Sequence, residues 1–172
     1  RALQDLFEEP YLESGLEKFI WMLPSRYLDR PLWDDVLGLA VQAGECGHRL
    51  VTGMHRAIEA LARSGNNVIA DHVLVESLWW QDCALRFSQF PAYLVGVHCP
   101  LEVLEEREKA RRNRTLGQAR AQYGVVHGMG VYDVEVNTAI SSAEECARQI
   151  KARVDTGVPP RALGEIKKRL CG

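Results

Sequence analysis

The stretch Asn67-Val68-Ile69-Ala70-Asp71-His72 decides the fold. Its apolar part is too short for a stable helix, has β-branched residues at Val68 and Ile69, and follows a pair of asparagines. It therefore reads as a short buried strand ending in an acid. Just before it, Leu50, Val51, Met54, Ile58, Leu61 and Ala62 recur at spacings of three and four over residues 49–64. That is the stripe of an amphipathic helix, and Gly65 is its expected stop. After it, Leu78 to Phe87 reads as a helix and Ala92 to His98 as a continuous apolar strand. Pro100 opens the next helix, where its missing N–H costs little. Short apolar strands alternating with helices predict an α/β fold with a parallel sheet covered on both faces. In such sheets ligands bind at the carboxyl ends of the strands. Asp71 and His98 both stand at such ends.

The remaining segments fit this alternation. Residues 1–8 read as the end of a helix, with Ala2, Leu3, Leu6 and Phe7 on one face. Tyr11 to Leu16 reads as a short strand, and Lys18 to Leu23 as a helix stopped by Pro24. Residues 25–48 carry Pro31, Gly38, Gly44 and Gly47 and read as a long, partly helical excursion of the kind that covers binding sites. A helix is predicted from about Thr115 to Val126, a strand over Val131 to Val136, and a helix over Ala143 to Val154. Pro159-Pro160 marks a linker before a short terminal helix at Arg161 to Leu170. The expected organisation is one domain over residues 1–154, with a lid at about 107–127 and a C-terminal tail over 155–172.

The 172 residues suit a single domain, and a net charge of −2 gives no global attraction to nucleic acid or membrane surfaces. The five cysteines are odd in number and lack C-x-x-C spacing, which argues against a disulfide framework and a zinc site. They are expected to be mostly buried thiols of a cytoplasmic protein. The N-terminus does not read as a signal peptide, and no apolar run approaches the roughly 20 residues of a membrane span.

Three groups of residues carry candidate chemistry. Asp71, at a strand end, is placed to hold Mg²⁺ directly or through water, although capping of the next turn would explain it as well. Arg107, Arg111 and Arg114 recur at four and three, so one helical face would present several guanidiniums, whose forks match phosphate oxygens. Glu102, Glu105, Glu106 and Glu108 offer these arginines a plain surface role instead. That role suits the first half of the helix better than Arg111-Arg112-Asn113-Arg114. Glu17, between a strand and a helix, is placed to take a proton from a hydroxyl, or simply to face a helix N-terminus. Trp21 and Trp33 flank the excursion and would line an apolar substrate pocket. The histidines His48, His55, His72, His98 and His127 show no metal-ligand spacing.

Several stretches resemble one family. These are Leu50-Val-Thr-Gly-Met-His55, Asp71-His72-Val73, Cys99-Pro100-Leu101-Glu102, Arg107-Glu108 with Arg111 and Arg114, Val126-His127, and Tyr132-Asp133-Val134-Glu135-Val136-Asn137-Thr138. Together they look like chloramphenicol phosphotransferase and its relatives, over about residues 1–153. The resemblance implies a three-layer P-loop kinase fold with a parallel sheet and a helical lid. It implies ATP and Mg²⁺ as cofactors and transfer of the γ-phosphoryl group to a small-molecule hydroxyl, with antibiotic inactivation as the outcome where the acceptor is chloramphenicol. It assigns Arg107, Arg111 and Arg114 to catalysis and ATP binding, Asp71 to the metal, and Glu17 to the catalytic base. His55, His72, Trp21 and Trp33 would contact the acceptor.

The departures are specific. Glu17 stands where the family has aspartate. Asp71-His72 replaces a pair of acids, and Arg111-Arg112-Asn113-Arg114 replaces Arg-Gly-Asp-Arg. The family's first strand and its Gly-x-x-x-x-Gly-Lys-Ser/Thr loop do not occur in these residues. We expect that segment to precede Arg1, and these residues alone to be poorly stable and inactive. A related kinase with another acceptor, or a ligand-binding protein without turnover, are the alternative expectations.

Overall fold

The structure is a computed structural model. It describes residues 1–29, 32–37, 43–111 and 116–171, with backbone only at residues 34 and 35. The elements alternate as the sequence predicts: β1 Tyr11–Glu13, α1 Leu16–Ile20, α2 Leu32–Leu37, α3 Glu45–Arg63, β2 Asn67–Ile69, α4 Ser77–Phe87, β3 Val95–His98, α5 Leu101–Ala110, α6 Gln118–Tyr123, β4 Val134–Asn137, α7 Ala143–Asp155 and α8 Ala162–Cys171. The helix expected at residues 1–8 is only a 3₁₀ turn at Gln4–Leu6. Phe7 turns extended and its ring stacks on Tyr11 at 4.3 Å, while the Gln4 amide donates to the Tyr11 carbonyl. These contacts fold the segment back along β1.

The strands pair in parallel, and they do so as two separate couples. β1 lies beside β2 with Tyr11 opposite Asn67 and Glu13 opposite Ile69. β3 lies beside β4 with Val95 opposite Val134 and His98 opposite Asn137. Among the described residues no ladder joins β2 to β3. Two-stranded parallel pairs supply little stability of their own, so the helices must supply most of it.

The core lies where α3, α4 and α8 meet. Val51, Met54 and Ile58 of α3 share one cluster with Trp79, Trp80 and Ala84 of α4 and with Leu163 and Ile166 of α8, which packs on α4. Each large side chain fully buried here contributes roughly 1.5–3 kcal/mol. The sequence from Arg161 on therefore shares the central core. Asp133 fixes its entry: one carboxylate oxygen accepts from the backbone N–H groups of Arg161 and Ala162, and the other from that of Leu94.

Two glycines have stated reasons. At Gly47 a Cβ would lie 1.8 Å from the Val36 carbonyl oxygen, so only glycine lets α3 approach α2 this closely. Gly65 takes φ +86° and ends α3, its N–H bonded to Ala62 and that of Asn66 to Leu61. Of the cysteines, Cys83 and Cys146 are buried, Cys46 and Cys99 half-buried and Cys171 exposed, all with free thiols. Burial is thus less general than expected, because only α4 and α7 turn their cysteines inward. Burial, with Asp82 beside it, pushes the Cys83 thiol up to about 12. No described helix is long and apolar enough to cross a membrane.

Candidate active site

The parallel pairing of β1 and β2 continues past the strands themselves. Ser14 N–H donates to the Ile69 carbonyl at 2.9 Å, and Leu16 N–H to the Asp71 carbonyl at 2.8 Å. Gly15 lets the chains run this close, since a Cβ there would stand 3.1 Å from Asp71 Cβ. The chain turns at Gly15 directly into α1, which places Glu17 in the first helical turn. Glu17 and Asp71 are therefore two exposed acids at the carboxyl ends of adjacent parallel strands. Beside them Lys18 pairs with Glu13 at 2.6 Å and holds that carboxyl below its usual range.

Behind Asp71 runs a polar chain that the sequence reading only half anticipated. His55 on α3 is 1% exposed. Its Nδ1 lies 2.7 Å from Asp82 Oδ2 and its Nε2 lies 2.8 Å from His72 Nε2. Arg86, one helical turn after Asp82, donates from Nε to both Asp82 oxygens and from Nη1 to Glu59. Glu59 also receives Arg63. His72 Nδ1 is shielded from solvent and has no hydrogen-bond partner among the described residues. Burial holds the His72 imidazole down at about 3, with His55 adding to it. Burial also lowers His55, against the opposing pull of Asp82. Asp82, Arg86 and Glu59 were not picked out from the sequence. Their only signal there is the i, i+4 spacing of Asp82 with Arg86 and of Glu59 with Arg63, which on its own reads as an ordinary surface pair.

The second strand pair carries a separate group. Arg107 donates from Nη1 to Thr138 Oγ1 at 3.0 Å and from Nη2 to the Thr138 carbonyl at 2.7 Å, tying α5 to the end of β4. His98, the last residue of β3, bonds to Glu135 and stacks on His127 at 4.2 Å, and His127 bonds to the Tyr132 hydroxyl. Burial, then the charge of His98, lowers the His127 imidazole.

Of the expected arginine face, α5 carries Arg107 alone, because the helix ends at Ala110 and Arg111 is extended. Arg111 is exposed, and Arg112 and Arg114 lie outside the described residues. Among the described residues Glu108, which is 8% exposed, ties α5 to α6. Its two oxygens accept the N–H groups of Gly117 and Ala119 at 2.8 Å each. Arg120 pairs with Glu105 at 2.7 Å, the plain surface role. Trp21 is 71% exposed, whereas Trp33 is half-buried against the core. The structure thus gathers Glu17, Asp71, His72 and His55 around one pair of strand ends. Arg107 stands at the end of the other pair, and among the described residues neither tryptophan joins either group through a ring or polar contact.

Known proteins are similar to this chain over most of its length. A family described as "Chloramphenicol phosphotransferase-like protein" matches residues 1–155. Two Mycobacterium tuberculosis proteins, from strains CDC 1551 / Oshkosh and ATCC 25618 / H37Rv, are each named "Putative O-phosphotransferase". Each is 32% identical over 181 residues, a span covering 98% of this chain and 80% of the relative. With more than half of its length matched, the chain belongs to the chloramphenicol phosphotransferase-like family.

Proposed function

We propose that the protein transfers the γ-phosphoryl group of ATP to a hydroxyl of a small molecule, on a P-loop kinase fold whose kinase-like part is residues 1–154, with α8 packed onto its core and 107–127 as its lid. The observation that carries this reading is the placement of Glu17 and Asp71 at the carboxyl ends of adjacent parallel strands, where α/β enzymes bind their ligands. Glu17 accepts the proton of the attacking hydroxyl. Asp71 is the metal residue. Its oxygens, with Glu17 close by, fit Mg²⁺, which binds one or two carboxylates and keeps several waters. When bound, that ion neutralises charge developing on the phosphate oxygens. Arg107, Arg111 and Arg114 serve the phosphates, for which guanidinium is the fitting donor. His55, His72, Trp21 and Trp33 serve the acceptor.

Chloramphenicol is the first acceptor to test, with drug inactivation as its consequence. A second reading, a related kinase with another alcohol as acceptor, is favoured by His72 standing where the family has a second acid. The test incubates the complete gene product with labelled ATP, Mg²⁺ and a panel of alcohols headed by chloramphenicol. A product one phosphoryl group heavier supports the proposal. ATP and alcohol binding with no transfer to any acceptor would leave a binding protein in its place.

A further inference from the structure

His72 Nδ1 poses a specific chemical question, because a buried ring nitrogen without a partner is uncommon. Its proton state follows from the chain behind it. Asp82 receives Arg86 on both oxygens, so toward His55 it acts as an acceptor. Nδ1 of His55, 2.7 Å away, then carries the hydrogen. A neutral imidazole bears one hydrogen only, which leaves His55 Nε2 as a lone pair. The facing nitrogen, His72 Nε2 at 2.8 Å, must be the donor of that pair. His72 Nδ1 is consequently a bare lone pair.

We propose that Asp82 and His55 are positioning residues that lock His72 in its Nε2–H tautomer, so that Nδ1 accepts a hydrogen bond from a hydroxyl of the acceptor molecule. This rests on the reading of the β1–β2 end as the acceptor site. His72 follows Asp71 directly, and Leu16 N–H bonds to the Asp71 carbonyl, so the backbone carrying His72 lies at the same strand end as Glu17, and a hydroxyl reaches the shielded Nδ1 once the groups covering it move aside. A second carboxylate beside Asp71 would add charge and draw cations. A neutral imidazole lone pair adds no charge and accepts a hydrogen bond, which an O–H of a neutral alcohol can supply. The proposal assigns no proton transfer to His72: the hydroxyl it holds is a second one, distinct from the attacking hydroxyl whose proton Glu17 takes, and it keeps its hydrogen in this bond.

The substitution Asp82→Asn separates a tautomer lock from simple packing. Arg86 will retain the amide oxygen, which turns the amide N–H toward His55 Nδ1. Each step of the chain then reverses, and His72 Nδ1 becomes a donor.

The experiment is ¹⁵N-histidine NMR of the complete protein, reading which ring nitrogen of His55 and of His72 is protonated, followed by titration with chloramphenicol and then glycerol as hydroxyl probes. Expected are Nδ1–H on His55, Nε2–H on His72, inversion of both in Asp82→Asn, and displacement of the His72 Nδ1 resonance by a probe to which the enzyme transfers phosphate. In Asp82→Asn the KM for that alcohol rises on the order of tenfold, the scale of one lost hydrogen bond, with a smaller change in kcat. An Nδ1–H tautomer on His72 in the unsubstituted protein, or a Nδ1 resonance unmoved by a probe that is phosphorylated, overturns the proposal. Absence of any transfer sinks the phosphotransferase reading instead, and the tautomer pattern still decides whether the lock exists.

Discussion

The backbone N–H of Leu16 donates to the carbonyl of Asp71 at 2.8 Å, so the parallel register of β1 and β2 survives past both strands and into the site. Gly15 makes that approach possible. A Cβ there would meet Asp71 Cβ and Glu13 Oε1 at 3.1 Å each. Gly15→Val is expected to separate Glu17 from Asp71. A displacement of about 1 Å costs phosphotransfer on the order of a hundredfold in rate. Folding should suffer far less than activity. Steady-state kinetics beside urea denaturation test this, and a variant that loses both in proportion would show that Gly15 serves stability alone.

Gly47 is a different case. Its missing side chain lies against backbone, 1.8 Å from the Val36 oxygen, and backbone cannot rotate away. Gly47→Ala must push α2 off α3 and should lower stability by about 3 kcal/mol or more, in the range of severe overpacking. An unchanged urea midpoint would mean that the two helices do not pack this closely.

Stability should also fall in mild acid. Burial holds His72 at about 3, against an ordinary histidine value of about 6.5. The groups facing this pair are Asp82, with Arg86 and Glu59 behind it, and Asp71 precedes His72 in the chain. Below pH 6.5 the unfolded chain binds a proton that folded His72 refuses, so stability is full above that pH and declines toward pH 3. From pH 7 to pH 5 the loss from His72 alone is about 2 kcal/mol. His55, lowered in the same direction, adds to it. His72→Leu should flatten the pH dependence of the urea midpoint, and an identical slope in the two proteins would contradict the burial argument.

The sequence made much of this legible, for identifiable reasons. The stripe from Leu50 to Ala62, the apolar runs at Val68 and Ala92, and Gly65 as a helix stop are local patterns, and local patterns survive into the structure. The split into two strand pairs was not legible, because which strands pair is settled by long-range contacts that no local period encodes. The same limit hid the buried chain. His55, His72 and Asp82 are far apart in sequence, and an acid four residues before Arg86 reads as a surface ion pair until α3 closes over it. The end of α5 was not legible for a local reason: the helix stops one residue short of Arg111, and Glu108 caps the start of α6 from it.

Glu108 supplies a further test. Both of its oxygens hold backbone N–H groups at the start of α6, from within a nearly closed environment. Glu108→Ala leaves those half-exposed donors to water, a loss of about 0.5–1.5 kcal/mol for each bond. Hydrogen exchange should quicken over residues 117–123 while α3 and α4 stay protected. Uniform quickening across the chain would indicate that Glu108 supports the whole fold instead of the junction.

The most direct test of the account is the rate of phosphoryl transfer by the complete protein carrying Glu17→Gln. The amide keeps the size and hydrogen-bonding reach of the side chain but cannot take a proton, and a positioned base contributes typically 10²- to 10⁴-fold. The account predicts a fall in kcat of at least about a hundredfold, with ATP binding and the urea midpoint unchanged. Transfer at the unsubstituted rate would contradict it, and would remove Glu17, and with it the acidic strand end, from the chemistry.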